Sequence, residues 1–297
     1  MSRLSQNNLS SRMKRKHHLF PDLIPEIEDW PIYRLHAERE RFVQELQEAT
    51  LRRLMESGKP EDLQETIART IYKERIRIKE DPWKVDPPDE RGFWKNVSKK
   101  LLKSNFQSDD PSSGEEVEKI LRQIVHRYAE EIVGTFNKKT FLFARRFLTN
   151  FFKWLLNAAA PQGRLFWGTH RQLYEKLIVR GPPEDIRELG RDHILVVLPT
   201  HFSNLDSIMV GYAMDAVLGL PSFHYGAGLN LYNFGPAAYY MNRLGAYRVD
   251  RRKKNVIYLE TLKTMSRLAI EKGTNTLFFP GGTRSRSGSM ETSLKLG

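Results

Sequence analysis

The chain has 297 residues, which is enough for a sizeable hydrophobic core and for two domains. It contains no cysteine, so disulfide bonds and thiolate chemistry are excluded. A formal net charge of +12 favours acidic partners such as phosphorylated metabolites, an anionic membrane surface, an acidic carrier or nucleic acid. No stretch approaches the roughly 20 consecutive apolar residues of a membrane span, so any membrane contact should be peripheral.

Residues 1–20 carry basic side chains and no acidic ones. They also lack the apolar segment of a signal peptide, which predicts a flexible basic tail. Their serine and arginine content is also compatible with an organelle transit peptide, and that second alternative stays open.

A helical domain is predicted for residues 21–189. A proline-rich joint at Asp81–Arg91 and a polar loop at Ser108–Glu116 interrupt it. After the loop, apolar residues recur at helical spacing and predict a buried helix face: Val117, Ile120, Leu121, Ile124, Val125 and Tyr128. His126 in that helix has no partner histidine or acidic cluster at metal-ligand spacing, so no metal site is expected there.

The helix predicted for Phe141–Ala160 has two distinct faces. At 100° per residue, one side collects polar and basic residues: Arg145, Arg146, Asn150, Lys153 and Asn157. The opposite side is apolar: Phe147, Leu148, Phe151, Trp154 and Leu155. This pattern fits an interfacial helix lying among lipid headgroups, and it fits a core helix with a solvated basic side equally well.

The sequence pattern changes at residue 190. For residues 190–297 it predicts an α/β core with a largely parallel sheet. Strand-like runs at His193–Pro199, Gly245–Asp250 and Asn275–Pro280 alternate with helical segments. The clearest helix begins near Asn255 and ends at Gly273, a residue typical of a helix C-cap. The first run, HILVVLP, has no alternation and is expected to be a fully buried strand.

Directly after this first run stands PTHFSNLDS, with His201 and Asp206 five positions apart. Ser203 and Asp206 fit the S-x-x-D form of a capping box, so a helix should begin there and leave His201 in the preceding turn. A carboxylate that orients a histidine makes it a candidate general base. Alternatively, Asp206 only caps the helix and His201 only fills the turn.

The other two runs also end in residues suited to binding. Arg251 and Arg252 follow the second run, and the glycine-rich segment Gly281–Gly288 follows the third. Right-handed crossovers bring the carboxyl ends of parallel strands to one edge of the sheet. Arginines and glycine backbone N–H groups are both suited to phosphate oxygens, so we expect a phosphate site at this edge.

Four ordered blocks, H-x4-D, GAGLNLYNFGP, GAYRVDR and FFPGGTRSRSG, resemble the glycerol-3-phosphate acyltransferase branch of the glycerolipid acyltransferase family. The resemblance covers about Leu189 to the end and implies that His201 is the base and Asp206 its partner. It also implies a set of substrate-binding residues: Asn230, Arg251, Gly282, Thr283, Arg284 and Arg286.

The implied reaction moves a fatty acyl group from acyl-CoA or acyl carrier protein to glycerol 3-phosphate in phospholipid synthesis. No cofactor, metal or nucleic acid is expected. The expected location is cytoplasmic, peripheral on the inner face of the cell membrane, with an anionic membrane surface as partner. The alternatives are dihydroxyacetone phosphate or a lysophospholipid as acceptor, or a catalytically weak membrane-associated scaffold with the same fold.

Two departures from the family pattern stand out. Family members usually carry a glutamate where this chain has Gly281, and they continue into a further strand block beyond the position of Gly297. From this resemblance the α/β core is expected to be incomplete at its C-terminus.

Overall fold

A computed structural model describes residues 20–57, 60–105, 113–157, 177–203, 205–233 and 235–280. The chain divides into two compact units, each made of separate segments. The first unit comprises Met1–Trp30, Lys138–Phe223 and Asn275–Gly297; the second comprises Pro31–Asn137 and His224–Thr274. Each unit combines parts of the helical and the α/β regions, and the division at residue 190 stays a prediction.

Helices dominate the described residues before position 190, as predicted. They are α1 (Pro31–Ala37), α2 (Arg39–Ser57), α3 (Pro60–Glu80), α4 (Glu90–Asn105), α5 (Ser113–Ile132), α6 (Lys138–Asn157) and α7 (Pro183–Asp192). The proline-rich joint separates α3 from α4, because proline cannot continue the helical hydrogen bonding. A 3₁₀ turn at Ile27–Asp29 precedes α1.

Strands and helices alternate in the remaining residues. The elements are β1 (Val196–Val197), α8 (Asp206–Tyr212), a π-helical turn (Ala213–Val217), β2 (His224–Gly228), a 3₁₀ turn (Leu229–Asn233), α9 (Gly235–Met241), β3 (Ala246–Val249), α10 (Val256–Glu271) and β4 (Thr276–Leu277). In the first unit β1 pairs with β4, and in the second unit β2 pairs with β3. Both pairs are parallel, which confirms the predicted α/β fold class.

The core of the second unit forms between α2, α5 and α10. Every residue of the apolar face predicted for α5, from Val117 to Tyr128, is buried. Helix α10 begins at the N-cap Asn255, whose side chain accepts a hydrogen bond from the backbone of Tyr258. It ends before Gly273, which has a positive φ of 85°, a conformation that glycine adopts without strain.

The prediction of a fully buried first strand is wrong. Only Val196 and Val197 form β1, and Val196 and Leu198 are 48% and 54% exposed. Within its unit, β1 pairs with β4 along one side. A strand that pairs on one side, and whose faces are little covered by the described residues, leaves its apolar side chains exposed to solvent.

Helix α6 combines features of both interpretations of its sequence. Phe152 is buried against Tyr212, with ring centroids 5.0 Å apart, and Arg145 turns inward to Asp215. Phe147 and Trp154 of the apolar face are instead exposed. Among the described helices, none combines the length and apolar character needed to cross a membrane.

Candidate active site

The turn before α8 is held by local hydrogen bonds. Asp206 Oδ2 accepts from the backbone N–H groups of Phe202 and Ser203, each at 2.6 Å. Ser203 Oγ accepts from the backbone N–H of Leu205 at 3.1 Å, and not from that of Asp206. The predicted capping box is therefore only half formed, and α8 begins at Asp206 with Leu205 as its N-cap.

His201 lies beside Asp206 without a hydrogen bond to it. Its Nδ1 is 3.6 Å from Asp206 Oδ2, beyond the range of a hydrogen bond. The two side chains are 19% and 24% exposed, and Nδ1 has no hydrogen-bond partner among the described residues. A shift of about half an ångström would bring Nδ1 into hydrogen-bonding range of the carboxylate.

The charge state of Asp206 suits a residue that stabilises a protonated histidine. Burial alone would raise the pKa of this carboxyl, but the N–H groups of Ser203 and Phe202, together with His201, lower it below its usual range. Asp206 is therefore a carboxylate at neutral pH. It can stabilise a positive charge that forms on His201.

An aromatic contact fixes the plane of His201. The ring of Phe279 stacks on the imidazole, with centroids 4.3 Å apart and an interplanar angle of 30°. Phe279 follows β4 and His201 follows β1, and the parallel pairing of these strands brings both residues to one edge. Sequence reasoning missed Phe279, although its place at the carboxyl end of a strand predicted to be parallel was a usable signal.

Two of the predicted substrate-binding residues lie at one edge of the second unit. In the β2–β3 register Gly228 faces Val249, and Asn230 and Arg251 each stand two residues beyond these positions. Both are exposed. The side chain of Asn230 folds back over Gly228, where an added Cβ would come within 2.6 Å of its Oδ1.

The two neighbouring arginines after β3 have different environments. Arg251 is exposed, whereas the side chain of Arg252 is 8% exposed and pairs with Asp86 and Asp250. Sequence reasoning placed both together as candidate phosphate ligands. The burial and the ion pairs of Arg252 leave Arg251 as the accessible one.

Comparison with known proteins bears on the region that contains these residues. Residues 180–297 match the family model described as Acyltransferase. The matched region includes His201 and Asp206 of the first unit and Asn230 and Arg251 of the second.

Individual proteins that are similar to the chain match it over more residues than the family model does. The chain is 28% identical over 224 residues to a glycerol-3-phosphate acyltransferase of Shewanella amazonensis, a match covering 75% of this chain and 25% of that protein. It is 30% identical over 197 residues to a protein of the same name from Aeromonas hydrophila, covering 64% of this chain and 22% of the relative. These matches confirm the resemblance to the glycerol-3-phosphate acyltransferase branch. The chain spans about a quarter of the length of the curated relatives it matches.

The glycine-rich segment that follows β4 in sequence lies outside the described residues. It contains Gly281 and four predicted substrate-binding residues: Gly282, Thr283, Arg284 and Arg286. Their role stays a prediction. Within the described part of the chain, no group of three or more histidine, aspartate or glutamate side chains is placed to hold a metal ion.

Proposed function

We propose that this protein transfers a fatty acyl group from an acyl thioester to the primary hydroxyl of glycerol 3-phosphate. The observation that carries the proposal is the His201–Asp206 pair, which lies in the turn before α8 and inside the matched acyltransferase region. The relatives are named glycerol-3-phosphate acyltransferases, which supports glycerol 3-phosphate as the acceptor.

In the proposed reaction His201 is the general base. Its Nε2 takes the proton from the acceptor hydroxyl as that oxygen attacks the thioester carbonyl, while Nδ1 faces Asp206. Backbone N–H groups near Gly282 stabilise the oxyanion of the tetrahedral intermediate. Its collapse expels the thiolate, which receives the proton from His201. No covalent enzyme intermediate forms.

Substrate binding in the proposal rests on positive charge. Arg251, with Arg284 and Arg286, binds the phosphate of the acceptor through charge-assisted hydrogen bonds, and Asn230 lies near the acceptor. The acyl donor is acyl-CoA or acyl carrier protein. Both are acidic, and the net charge of +12 favours their approach.

A membrane surface is the proposed location of the protein and destination of its acylated product. Phe143, Phe147 and Trp154 on α6 are 54%, 58% and 48% exposed, and they lie within roughly 40° of one another on the helix. Arg146, next to them, is exposed as well. An exposed aromatic strip beside a basic residue is typical of helices that lie in anionic headgroups, which fits a peripheral position on the inner face of the cell membrane.

The membrane contact is tested by cosedimentation with phosphatidylglycerol vesicles. Phe147→Ser/Trp154→Ser should weaken binding while the melting temperature stays unchanged, because both side chains are exposed. The control is Tyr72→Ser on α3, where Tyr72 is 67% exposed. Equal binding of the two variants would rule out α6 as the contact.

The reaction is tested by steady-state kinetics on His201→Ala. Loss of the base should lower kcat by about two to four orders of magnitude. His193→Ala is the matched control, because His193 is an exposed histidine of the same unit, just after α7. A folded His201→Ala protein with unchanged kcat would refute the proposed base, and wild-type transfer to lysophospholipid but not to glycerol 3-phosphate would refute the acceptor.

A further inference from the structure

The turn between β3 and α10, Asp250–Asn255, carries an unusual density of charge for a buried segment. Its sequence is DRRKKN, and burial alternates along it. Asp250, Lys253 and Asn255 are buried, whereas Arg251 and Lys254 are exposed. Buried charges are costly unless each finds a partner, so the environment of this turn must supply partners.

Asp250 and Arg252 form the centre of these contacts. The backbone N–H and the Nε of Arg252 donate to Asp250 Oδ1 at 3.0 and 2.9 Å, and its Nη2 donates to Oδ2 at 2.8 Å. The backbone N–H of Asp250 donates to Tyr258 Oη at 2.7 Å. Both carboxylate oxygens of Asp250 are therefore engaged by Arg252.

The proline-rich joint holds the other side of Arg252. Its Nη2 donates to Asp86 Oδ1 at 2.5 Å, and its Nη1 donates to the carbonyl oxygen of Asp81 at 2.7 Å. The guanidinium also lies over the ring of Trp83, 3.9 Å from its centre. A planar guanidinium with this many partners has one orientation, which lysine could not reproduce.

Helices α3, α4 and α5 fix the rest of the turn. Lys253 pairs with Glu131 of α5 and lies 3.7 Å from Glu90 of α4. Asn255 Nδ2 donates to Glu74 of α3 at 3.0 Å and to Tyr128 Oη at 2.9 Å. Residues on both sides of Arg251 are thus anchored to the helical region.

Arg251 itself makes no hydrogen bond or ion pair within the described part of the chain. Its immediate neighbour Asp250 would be an obvious counterion. That carboxylate is already occupied by Arg252, so it does not neutralise Arg251. The turn leaves one exposed guanidinium, on a rigid backbone, without a protein counterion among the described residues.

We propose that Arg252 is a positioning residue. It occupies the carboxylate of Asp250 and so keeps Arg251 available for the phosphate of the acceptor. Asp86 of the proline-rich joint holds Arg252 in place. This inference rests on the proposed function of Arg251. It assigns the helical region a part in acceptor recognition: its carboxylates bind the neighbouring cations and leave Arg251 to bind the substrate.

The test compares the kinetics of Arg252→Gln with those of Arg252→Gln/Asp250→Asn. In the single variant Asp250 is released and pairs with Arg251, so the KM for glycerol 3-phosphate should rise about tenfold while kcat and the KM for the acyl donor stay within about twofold. In the double variant the competing carboxylate is gone, and most of the increase in KM should disappear. Arg69→Gln is the control, because Arg69 forms an exposed ion pair on α3.

A second readout does not need turnover. Phenylglyoxal modifies guanidinium groups, and inorganic phosphate should protect Arg251 in the wild-type protein and in the double variant but much less in Arg252→Gln. If phosphate protects Arg251 in this way but the wild-type protein does not acylate glycerol 3-phosphate, the proposed acceptor is refuted. The positioning role of Arg252 is then still supported.

The positioning role is wrong if the double variant has the same raised KM as Arg252→Gln, or if phosphate protects Arg251 equally in all proteins. If Arg252→Gln does not fold, Arg252→Met replaces it. Methionine keeps an unbranched side chain and removes the charge that occupies Asp250, so a KM equal to that of wild type would then overturn the proposal.

Discussion

The turn at Pro199–Asp206 and the turn at Asp250–Asn255 each follow a parallel strand, β1 and β3, yet they are built in opposite ways. The first is half-exposed and held by a few local hydrogen bonds around Asp206. The second is buried and bound by charged side chains from three helices and a joint. The difference suits their proposed tasks, because a base must adjust as a proton moves, whereas a phosphate-binding arginine benefits from a fixed backbone.

Removing a helical carboxylate that contacts the second turn should have the largest effect on stability. Glu74 is buried and accepts hydrogen bonds from Tyr128, Asn255 and Arg77. Glu74→Ala leaves these donors without a partner and should lower the free energy of unfolding by about 3–5 kcal/mol. Urea unfolding measures it against Glu65→Ala, an exposed carboxylate on the same helix, which should change stability by less than about 1 kcal/mol. Similar losses for both would mean that the buried network is not stabilising.

Acidification should lower the free energy of unfolding of the second unit because two of its histidines are buried. Burial and the nearby charge of Arg39 lower the pKa of His36 from 6.5 to about 4. Burial and the neighbouring His36 lower the pKa of His224 from 6.5 to about 3. The unfolded chain then binds more protons below pH 6.5, so stability falls as the pH drops from 6.5 towards 4, by up to roughly 1.4 kcal/mol per pH unit for each histidine.

The variant His224→Phe isolates this effect from other titrating groups. Asp215 acts in the opposite sense, since burial raises its pKa from 3.8 to about 7 and its protonation favours the folded state on acidification. The free energy of unfolding of wild type minus that of His224→Phe, measured by urea unfolding at pH 7, 6 and 5, should therefore become less positive or more negative as the pH falls. A constant difference would contradict the buried, neutral state of His224.

The first turn is tested by Asp206→Asn. The amide keeps the shape but loses the charge that stabilises protonated His201, so kcat should fall roughly ten- to a hundredfold. A residue that only caps α8 would behave differently. In that case kcat would be unchanged, and the melting temperature would fall by an amount corresponding to about 1 kcal/mol.

The smallest effect is expected at Gly228. An alanine Cβ would displace the exposed side chain of Asn230, with which it would be 2.6 Å apart, and should raise the KM for the acceptor about twofold to fivefold with little change in stability. Gly92→Ala on α4 is the control, because nothing lies within 4 Å of the added atom. Identical KM values in the two variants would remove Asn230 from the acceptor site.

Sequence periodicity predicted the helices well because their apolar faces pack against one another, as the buried residues of α5 show. It failed for HILVVLP, since a continuous apolar run does not reveal how much of the surroundings will cover it. Strand β2 was missed because HYGAG has two glycines and no β-branched residue. The separate environments of Arg251 and Arg252 depend in part on the carboxylate of Asp86, 166 residues from Arg252 in sequence, which no local pattern encodes.

The division of labour between the two turns is tested most directly by the acceptor preference of Arg251→Ala. The measurement is the ratio of kcat/KM for glycerol 3-phosphate to kcat/KM for glycerol. Loss of one charge-assisted contact to phosphate should lower this ratio by about ten- to a hundredfold in Arg251→Ala, while His201→Ala lowers both values together and leaves the ratio unchanged. A ratio in Arg251→Ala equal to that of wild type would contradict the assignment of phosphate recognition to this turn.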